Sequence, residues 1–401
     1  VPSTERLRIG ILCPYSLTTP GGVQGQVMGL ARELRRMGHE VRVLGPCDGA
    51  PPDTFVTPLG DSLPTAANGS VAPLAPDPSA SLRTIRVLKD EEFDILHLHE
   101  PLSPGPTFTS LVMQMAPIVA TFHAAGESAS YKYLNAPLKA FAAAIEHRVA
   151  VSKDAVLLAE RYLGGDYEIL PNGVEIERFA PVPGEASASR RAIFFCGRHE
   201  PRKGLEYLLK AHATLPDDVD LWIASDGPET DRLKREWAGD ARIQWLGRIS
   251  DVEKASRLRQ AAVFCAPSLG GESFGVVLIE AMAANTPIVA SALDGYMNVA
   301  TDSVDAVLVE PANVDALEAG LRKVLDDPSM AGDLVRAGAV RAREFSMNNL
   351  ARRYEEIYRR VLEDHESIAS APRIGRLRRW WSIAVRLRAL ASNSIRRMLV
   401  K

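Results

Sequence analysis

What this 401-residue chain has little of narrows the field first. It has four cysteines, Cys13, Cys47, Cys196 and Cys265, and none forms a C-x-x-C pair. That argues against a zinc ribbon, a thiol redox pair or a disulfide framework. Three of them sit in or close apolar runs (GILC, FFC, VFC), where a thiol packs as a small hydrophobe, and a reducing compartment fits. Aromatic residues are only 6% of the chain, so its core is expected to be aliphatic and alanine-rich. No apolar run matches the roughly 20 residues of a membrane span. The longest mostly apolar stretch, Phe274 to Leu293, is interrupted by Glu280, Asn285, Thr286 and Pro287. The first apolar run, Ile9 to Cys13, is too short for a secretory leader. There is no repeat of solenoid period. Basic charge is outnumbered by acid except at one end. The last 31 residues hold eight arginines, one lysine and no acid, so the net charge of −3 hides a formal −12 on the rest. An acidic body with a basic tail does not fit a nucleic-acid channel through the fold.

What the chain does have is alternation. Short apolar runs read as buried strands at Arg8 to Cys13, Glu40 to Gly45, Phe93 to Leu98, Ile118 to Phe122 and Arg148 to Val151, with helical patterns between them. Gly25 to Met37 is one such helix, stopped by Gly38. Pro181 to Ser189 reads as a linker, after which the alternation restarts. The second set of strands is Ala192 to Cys196, Asp220 to Ala224, Arg242 to Leu246, Ala262 to Ala266 and Ile288 to Ala290. This predicts an α/β protein of two doubly wound, Rossmann-like domains facing an interdomain cleft. The expected divisions are 1–180, 181–345, a helix over 346–365 that packs back across the domains, and a basic tail over 366–401. Ligands of such sheets bind outside the carboxyl ends of the strands, which directs attention to the loops there.

Four of those loops carry chemistry. Pro20-Gly21-Gly22-Val23-Gln24 follows the first strand and opens a helix, so its glycines allow backbone N–H groups close to an anion. It lacks the spacing of the dinucleotide fingerprint. Phe122-His123 ends a strand. In His97-Leu98-His99-Glu100-Pro101 the two histidines share a strand face, a metal-like spacing with no further ligand cluster beside it. Gly197 to Gly204 brings Arg198, Arg202 and Lys203 to a strand end and helix start, where a leaving diphosphate would be stabilised. The most specific is Gly270 to Ala283, GGESFGVVLIEAMA. Glu272 lies just before a helix expected to start near Phe274, with Glu280 about two turns inside it. A carboxylate on so apolar a helix needs a partner or a ligand.

GGESFGVVLIEAMA is similar to the E-x7-E motif of retaining GT-B glycosyltransferases of family 4. With CPYS, PGGVQ, NGSVA, HLHEP, VATFH, PNGV and EPRKG in chain order, the sequence resembles the actinobacterial phosphatidylinositol α-mannosyltransferases over Leu7 to Leu362. The resemblance implies a GDP-mannose donor, transfer with retention, and no metal or other cofactor, protein cations taking the metal's place. It implies that Gly22 approaches the donor phosphates and sugar. Arg198 and Lys203 hold the diphosphate with Arg202 beside them. Glu272 and the backbone of Ser273, Phe274, Gly275 and Val276 hold sugar and phosphate, and Glu280 the ribose. His123 lies by the transferred sugar and, with Arg198, Lys203 and Glu272, makes up the expected catalytic set. Gln24, Tyr15 and Asn68 are the expected acceptor contacts. Two positions depart from the pattern: Pro73 stands where the family has a basic residue, and Asn285 where glycine is usual.

The basic tail lies outside the resemblance. Leu377, Trp380, Trp381, Ala384, Leu387, Ala391, Ile395 and Met398 follow helical spacing, with most arginines on the other side. Such a helix suits an anionic membrane surface, or else the acidic body of the chain. The expectation is a hexosyltransferase on the cytoplasmic face of the cell membrane, with a nucleotide-sugar donor and a lipid acceptor and without nucleic acid as a partner. Alternatives are a relative using another nucleotide sugar or acceptor, a sugar-nucleotide 2-epimerase, and an inactive sugar-nucleotide binder.

Overall fold

A computed structural model describes residues 6–67, 70–124, 135–184, 190–272 and 274–370. They form two compact units, with boundaries at Pro171/Asn172 and Asn349/Leu350; the residues on either side of the second unit make up the first.

The first unit is built on β1 (Arg8–Leu12), β2 (Glu40–Gly45), β3 (Val56–Pro58), β6 (Ile95–His99), β7 (Ile118–Phe122), β8 (His147–Ala150) and β9 (Glu168–Ile169). These pair in the order β3-β2-β1-β6-β7-β8-β9, every pairing parallel. The central strands are buried and mostly apolar because helices cover both faces of such a sheet; Ile9, Ile11, Leu12, Ile118 and Ala120 are wholly buried. A separate antiparallel hairpin, β4 (Leu63–Ala67) and β5 (Ser70–Leu74), is tied to the loop after β1. The Ser16 amide donates to the Pro73 carbonyl at 2.9 Å, and Tyr15 bridges to Leu74. The helix Met347–Ser370 completes this unit from Leu350 onward, burying Leu350, Ala351, Tyr354, Ile357, Tyr358 and Val361 on one stripe.

The second unit pairs β10 (Arg191–Cys196), β11 (Val219–Ala224), β12 (Ile243–Gly247), β13 (Val263–Ala266), β14 (Ile288–Ser291) and β15 (Val307–Val309). The order is β12-β11-β10-β13-β14-β15, again parallel throughout. Alternate side chains of each strand feed opposite faces. Phe194, Phe264 and Ala290 join one core with Leu278 and Met282, while Ile193, Phe195 and Cys265 join the other with Leu205 and Leu209. Burying a leucine or phenylalanine in this way contributes about 1.5–3 kcal/mol. Ser250 and Asn313 cap the helices Asp251–Gln260 and Val314–Asp326 by accepting backbone N–H bonds.

Both sheets are the doubly wound kind expected from the sequence. The differences are local. The structural division falls before Asn172, not in Pro181 to Ser189, because Val174 pairs its backbone with Phe345 in the second unit and Phe179 enters that unit's core. Residues 185–189 lie outside the described set. The last helix runs on to Ser370. The hairpin and the short edge strands β3, β9 and β15 had no counterpart in the sequence reading.

Candidate functional site in two halves

Each sheet reverses its winding once, between β1 and β6 in the first unit and between β10 and β13 in the second. A crevice at the carboxyl end of such a switch point is where doubly wound folds bind ligands. The motif loops emerge at these two places.

In the second unit, the loop after β10 carries Arg198, Glu200, Arg202 and Lys203, and the loop after β13 carries Ser268 and Glu272. Glu200 accepts from Arg198 Nε at 3.1 Å and from Arg202 Nε at 2.9 Å. Glu272 is paired with the Lys203 ammonium, lies 3.6 Å from Arg202 and accepts from the Ser268 hydroxyl at 3.1 Å. Ser268 is in turn bonded to the buried Tyr296 hydroxyl at 2.9 Å. The sequence brings these loops together through glycine. Gly204 has φ 69°, and a Cβ on it would lie 1.9 Å from the Pro267 carbonyl oxygen. The three cations are therefore held at one place by carboxylates, with Arg198 and Arg202 still 49% and 39% exposed.

Glu280 sits one turn, not two, into its helix. The helix begins at Val276 because Gly275 adopts φ 77°, where a Cβ would strike Tyr296 at 2.7 Å. Its carboxylate is met by Lys254 at 2.8 Å, and Lys254 also lies over the Phe179 ring at 5.5 Å. Burial would depress the Lys254 pKa, but the adjacent Glu280 carboxylate outweighs burial and the net shift is upward, so Lys254 is held as the ammonium. The partner that the apolar helix demanded is thus Lys254, 26 positions away across two helices, which no local pattern announces. Phe274 is a core residue, edge-on to Phe345, so only its backbone is available to a ligand. Val276 is the first helical residue, half-buried, and Ser273 lies outside the described residues. Asn285 has φ 57°, which explains why glycine suits that position and why asparagine is tolerated there.

In the first unit, the helix Gly22–Arg36 opens at Gly22, three residues earlier than expected. A Cβ at Gly22 would meet nothing within 4 Å, so the backbone there is open to approach. Gly21 is different: a Cβ would fall 2.3 Å from Gln24 Oε1. Gln24 is buried and donates to the Ser16 carbonyl at 3.3 Å. Tyr15 stands beside Glu100; burial first, then that carboxylate, pushes its phenol pKa up. Asn68 lies outside the described residues. Asn68-Gly69 between two strands is itself a hairpin signal, and it would have revealed β4 and β5.

The histidines form one buried polar network. His97 contacts the Tyr358 hydroxyl through Nδ1 at 2.7 Å and the Thr121 hydroxyl through Nε2 at 2.7 Å, and Thr121 meets the Tyr354 hydroxyl at 2.8 Å. His99 Nδ1 meets His123 Nε2 at 2.8 Å. Burial pushes His97 and His123 down to about 3, and His99 also well below its usual value. All three are neutral near pH 7. Among the described residues, no group of three or more His, Cys, Asp or Glu side chains is placed to hold a metal ion.

Comparison with known proteins bears on these two halves. Residues 20–178 match the family described as Glycosyltransferase Family 4, and residues 179–341 that described as Glycosyl transferases group 1. The chain is 39% identical to the phosphatidyl-myo-inositol mannosyltransferase of Mycobacterium leprae, over 88% of this chain and 97% of that one. It belongs to the phosphatidyl-myo-inositol mannosyltransferase family of GT-B glycosyltransferases. The relative from Mycolicibacterium smegmatis is 38% identical, over 88% of this chain and 94% of its own. Among solved structures, a sucrose-phosphate synthase from Thermosynechococcus elongatus superposes with a TM-score of 0.71 at 22% identity, covering 90% of this chain and all of that one, a likeness of fold. The protein is therefore a glycosyltransferase. In this glycosyltransferase the described motif residues fall into two sets. Arg198, Arg202, Lys203, Glu272 and Glu280 lie in the second unit, and Tyr15, Gly22, Gln24 and His123 in the first. Glu200, Ser268, Lys254 and Tyr296 are its unforeseen members. Glu200, inside EPRKG, and Ser268, inside APSLGGESFG, lie within sequence motifs, whereas Lys254 and Tyr296 do not.

Proposed function

We propose that this glycosyltransferase moves mannose from GDP-mannose, with retention, to the inositol of phosphatidylinositol or a related lipid at the cytoplasmic face of the membrane. The observation that carries the donor half is the set of three cations held by Glu200 and Glu272 where the second sheet reverses. Such a cluster is preorganised for a diphosphate, whose charge grows as it leaves. Its carboxylates hold the cations in place until the phosphates arrive. Arg198 and Lys203 take the diphosphate, Arg202 supports them, and no metal is required. Glu272, with the backbone from Ser273 to Val276, holds sugar and phosphate. Glu280 takes the ribose, with Lys254 holding its carboxylate at 2.8 Å.

In the first unit, Gly22 leaves room for the donor phosphates, and His123 serves the transferred sugar. Tyr15, Gln24 and Asn68 serve the inositol. The reaction is a front-face displacement. The bond from mannose C1 to phosphate breaks while the inositol oxygen bonds C1 from the same side, and the inositol proton passes to the departing phosphate oxygen. The names of the relatives at 38–39% identity support the acceptor. Pro73, paired to the Tyr15-Ser16 segment instead of offering a cation, favours a related lipid with a different demand at that point. The membrane role of the tail rests on its sequence, since 371–401 lie outside the described residues. Among the described residues, no helix is long and apolar enough to cross a membrane.

The test incubates the full chain with GDP-mannose, UDP-glucose or UDP-N-acetylglucosamine, with and without phosphatidylinositol. The expected product is an α-mannosyl lipid formed only from GDP-mannose. GDP-mannose consumption that ignores the lipid overturns the acceptor, and tighter binding of UDP than of GDP in calorimetry overturns the donor.

A further inference from the structure

The motif His97-Leu98-His99-Glu100 ends β6, beside the end of β7 where His123 emerges. Three features converge on His123. Its ring stacks on His99 at 5.1 Å between centroids with the planes 20° apart, and Nε2 meets His99 Nδ1 at 2.8 Å. Glu100 adopts the left-handed conformation, φ 48°, which turns its carboxylate back onto the next strand end. There its Oε1 accepts the backbone N–H groups of both His123, at 2.5 Å, and Ala124, at 2.6 Å. His97 lies under His99, 4.4 Å between centroids, and has both ring nitrogens engaged by Tyr358 and Thr121, so the floor of the stack is fixed.

The shared bond between the two rings holds one hydrogen, and burial keeps both rings neutral. One ring donates and the other accepts. His99 Nε2 is buried and without a hydrogen-bond partner among the described residues. If His99 carried its proton there, a buried N–H donor would be orphaned; if it carries the proton on Nδ1, only a lone pair is left. Orphaned buried donors are the rarer case in folded proteins. The proton therefore belongs on His99 Nδ1, which donates to His123 Nε2. The bond at one nitrogen of an imidazole sets the state of the other, so His123 holds its own proton on Nδ1.

We propose that His99 and Glu100 are positioning residues for His123: His99 fixes its tautomer, so that Nδ1–H is the donor the ring presents, and Glu100 fixes the backbone that carries it. That His123 then serves the transferred sugar rests on the function proposed above; the tautomer does not.

The test uses the full chain labelled with 15N-histidine and long-range 1H–15N NMR, with the His123 signals assigned by their loss in His123→Ala. The expected wild-type state is protonated at Nδ1. His99→Leu should give mixed tautomers, and His99→Asn, whose amide nitrogen falls near the place of the imidazole Nδ1, should keep one. In turnover of GDP-mannose with phosphatidylinositol micelles, His99→Leu should lose kcat by roughly tenfold to a hundredfold, the scale of a misplaced group. GDP affinity by calorimetry should stay within about twofold, and His99→Asn should recover most of the rate. A wild-type His123 protonated at Nε2 overturns the proposal, and this reading needs no variant to fold. So does an unchanged tautomer in His99→Leu, or full kcat in His99→Leu while His123→Ala is impaired. If the tautomer shifts as expected but both His99→Leu and His123→Ala keep wild-type kcat, the positioning stands and the role given to His123 in transfer fails.

Discussion

The two units solve the same problem, holding polar groups in a fixed geometry, by opposite means. The first does it dry and neutral. His97, His99, His123, Thr121, Tyr354 and Tyr358 are almost fully removed from solvent, and burial keeps the imidazoles uncharged. The second does it with charge: Lys203 against Glu272, Arg198 and Arg202 against Glu200, Lys254 against Glu280. A neutral network fixes direction, because each hydrogen bond has a preferred line. A paired cluster keeps cations in place, because each carboxylate holds its partner at a set distance. The difference teaches that, among the motif residues, neutral hydrogen bonding and ion pairing are kept in separate units of the chain.

Substituting the charged half should cost most. Lys203→Ala removes the cation that Glu272 holds, and kcat/KM should fall about 10²- to 10³-fold, the usual loss for one transition-state donor. Steady-state rates with GDP-mannose check this, and Lys203→Arg should not restore them, because Arg presents a planar fork and not a point charge. If Lys203→Ala retains wild-type kcat/KM, the charge half of the comparison collapses.

A smaller effect separates holding from binding. Lys254→Met leaves Glu280 buried without its cation and should destabilise the protein by about 1–3 kcal/mol. Adding Glu280→Gln should return part of that loss in urea unfolding, since the pair is coupled. Strict additivity of the two would show that the pair is not an energetic unit.

The effect that is smallest at neutral pH probes the neutral half. His97 and His123 titrate near 3 in the folded chain against an ordinary 6.5. Between those values the unfolded chain binds more protons. Their contribution is complete above about pH 6.5 and is lost as pH falls toward 3, by about 1.4 kcal/mol per pH unit for each histidine. Urea midpoints at pH 7.5 and 5.5 measure this, and His97→Leu should flatten the slope. An unchanged slope would mean that these rings are not buried neutral.

How much of this was legible depended on whether the signal was local. Glu40–Gly45 and Ile118–Phe122 were readable to the residue, the second because a strand buried on both faces is a nearly continuous apolar run. β9 and β15, of two and three residues at sheet edges, are too short to carry a period. The hairpin was hidden by Pro64 and Pro73, which read against strands, although its Asn-Gly pair was in plain view. Arg198, Lys203, Glu272 and Glu280 stood out because each motif is contiguous. Their partners did not. Lys254 reaches Glu280 only through the packing of adjacent helices, and the link from His97 to Tyr358 spans 261 positions.

That last distance has a consequence in time. The first unit is begun by the earliest part of the chain and finished by the helix Met347–Ser370, after the whole second unit has been made. Chains emerge from the ribosome at roughly 5–20 residues per second, and domains fold as they appear. The second unit is contiguous and can close as soon as it is out. Until Tyr354 and Tyr358 arrive, Thr121 and His97 lack their hydroxyl partners and the histidine stack has no finished floor. The ion pairs of the second unit can thus form before the histidine stack of the first is complete.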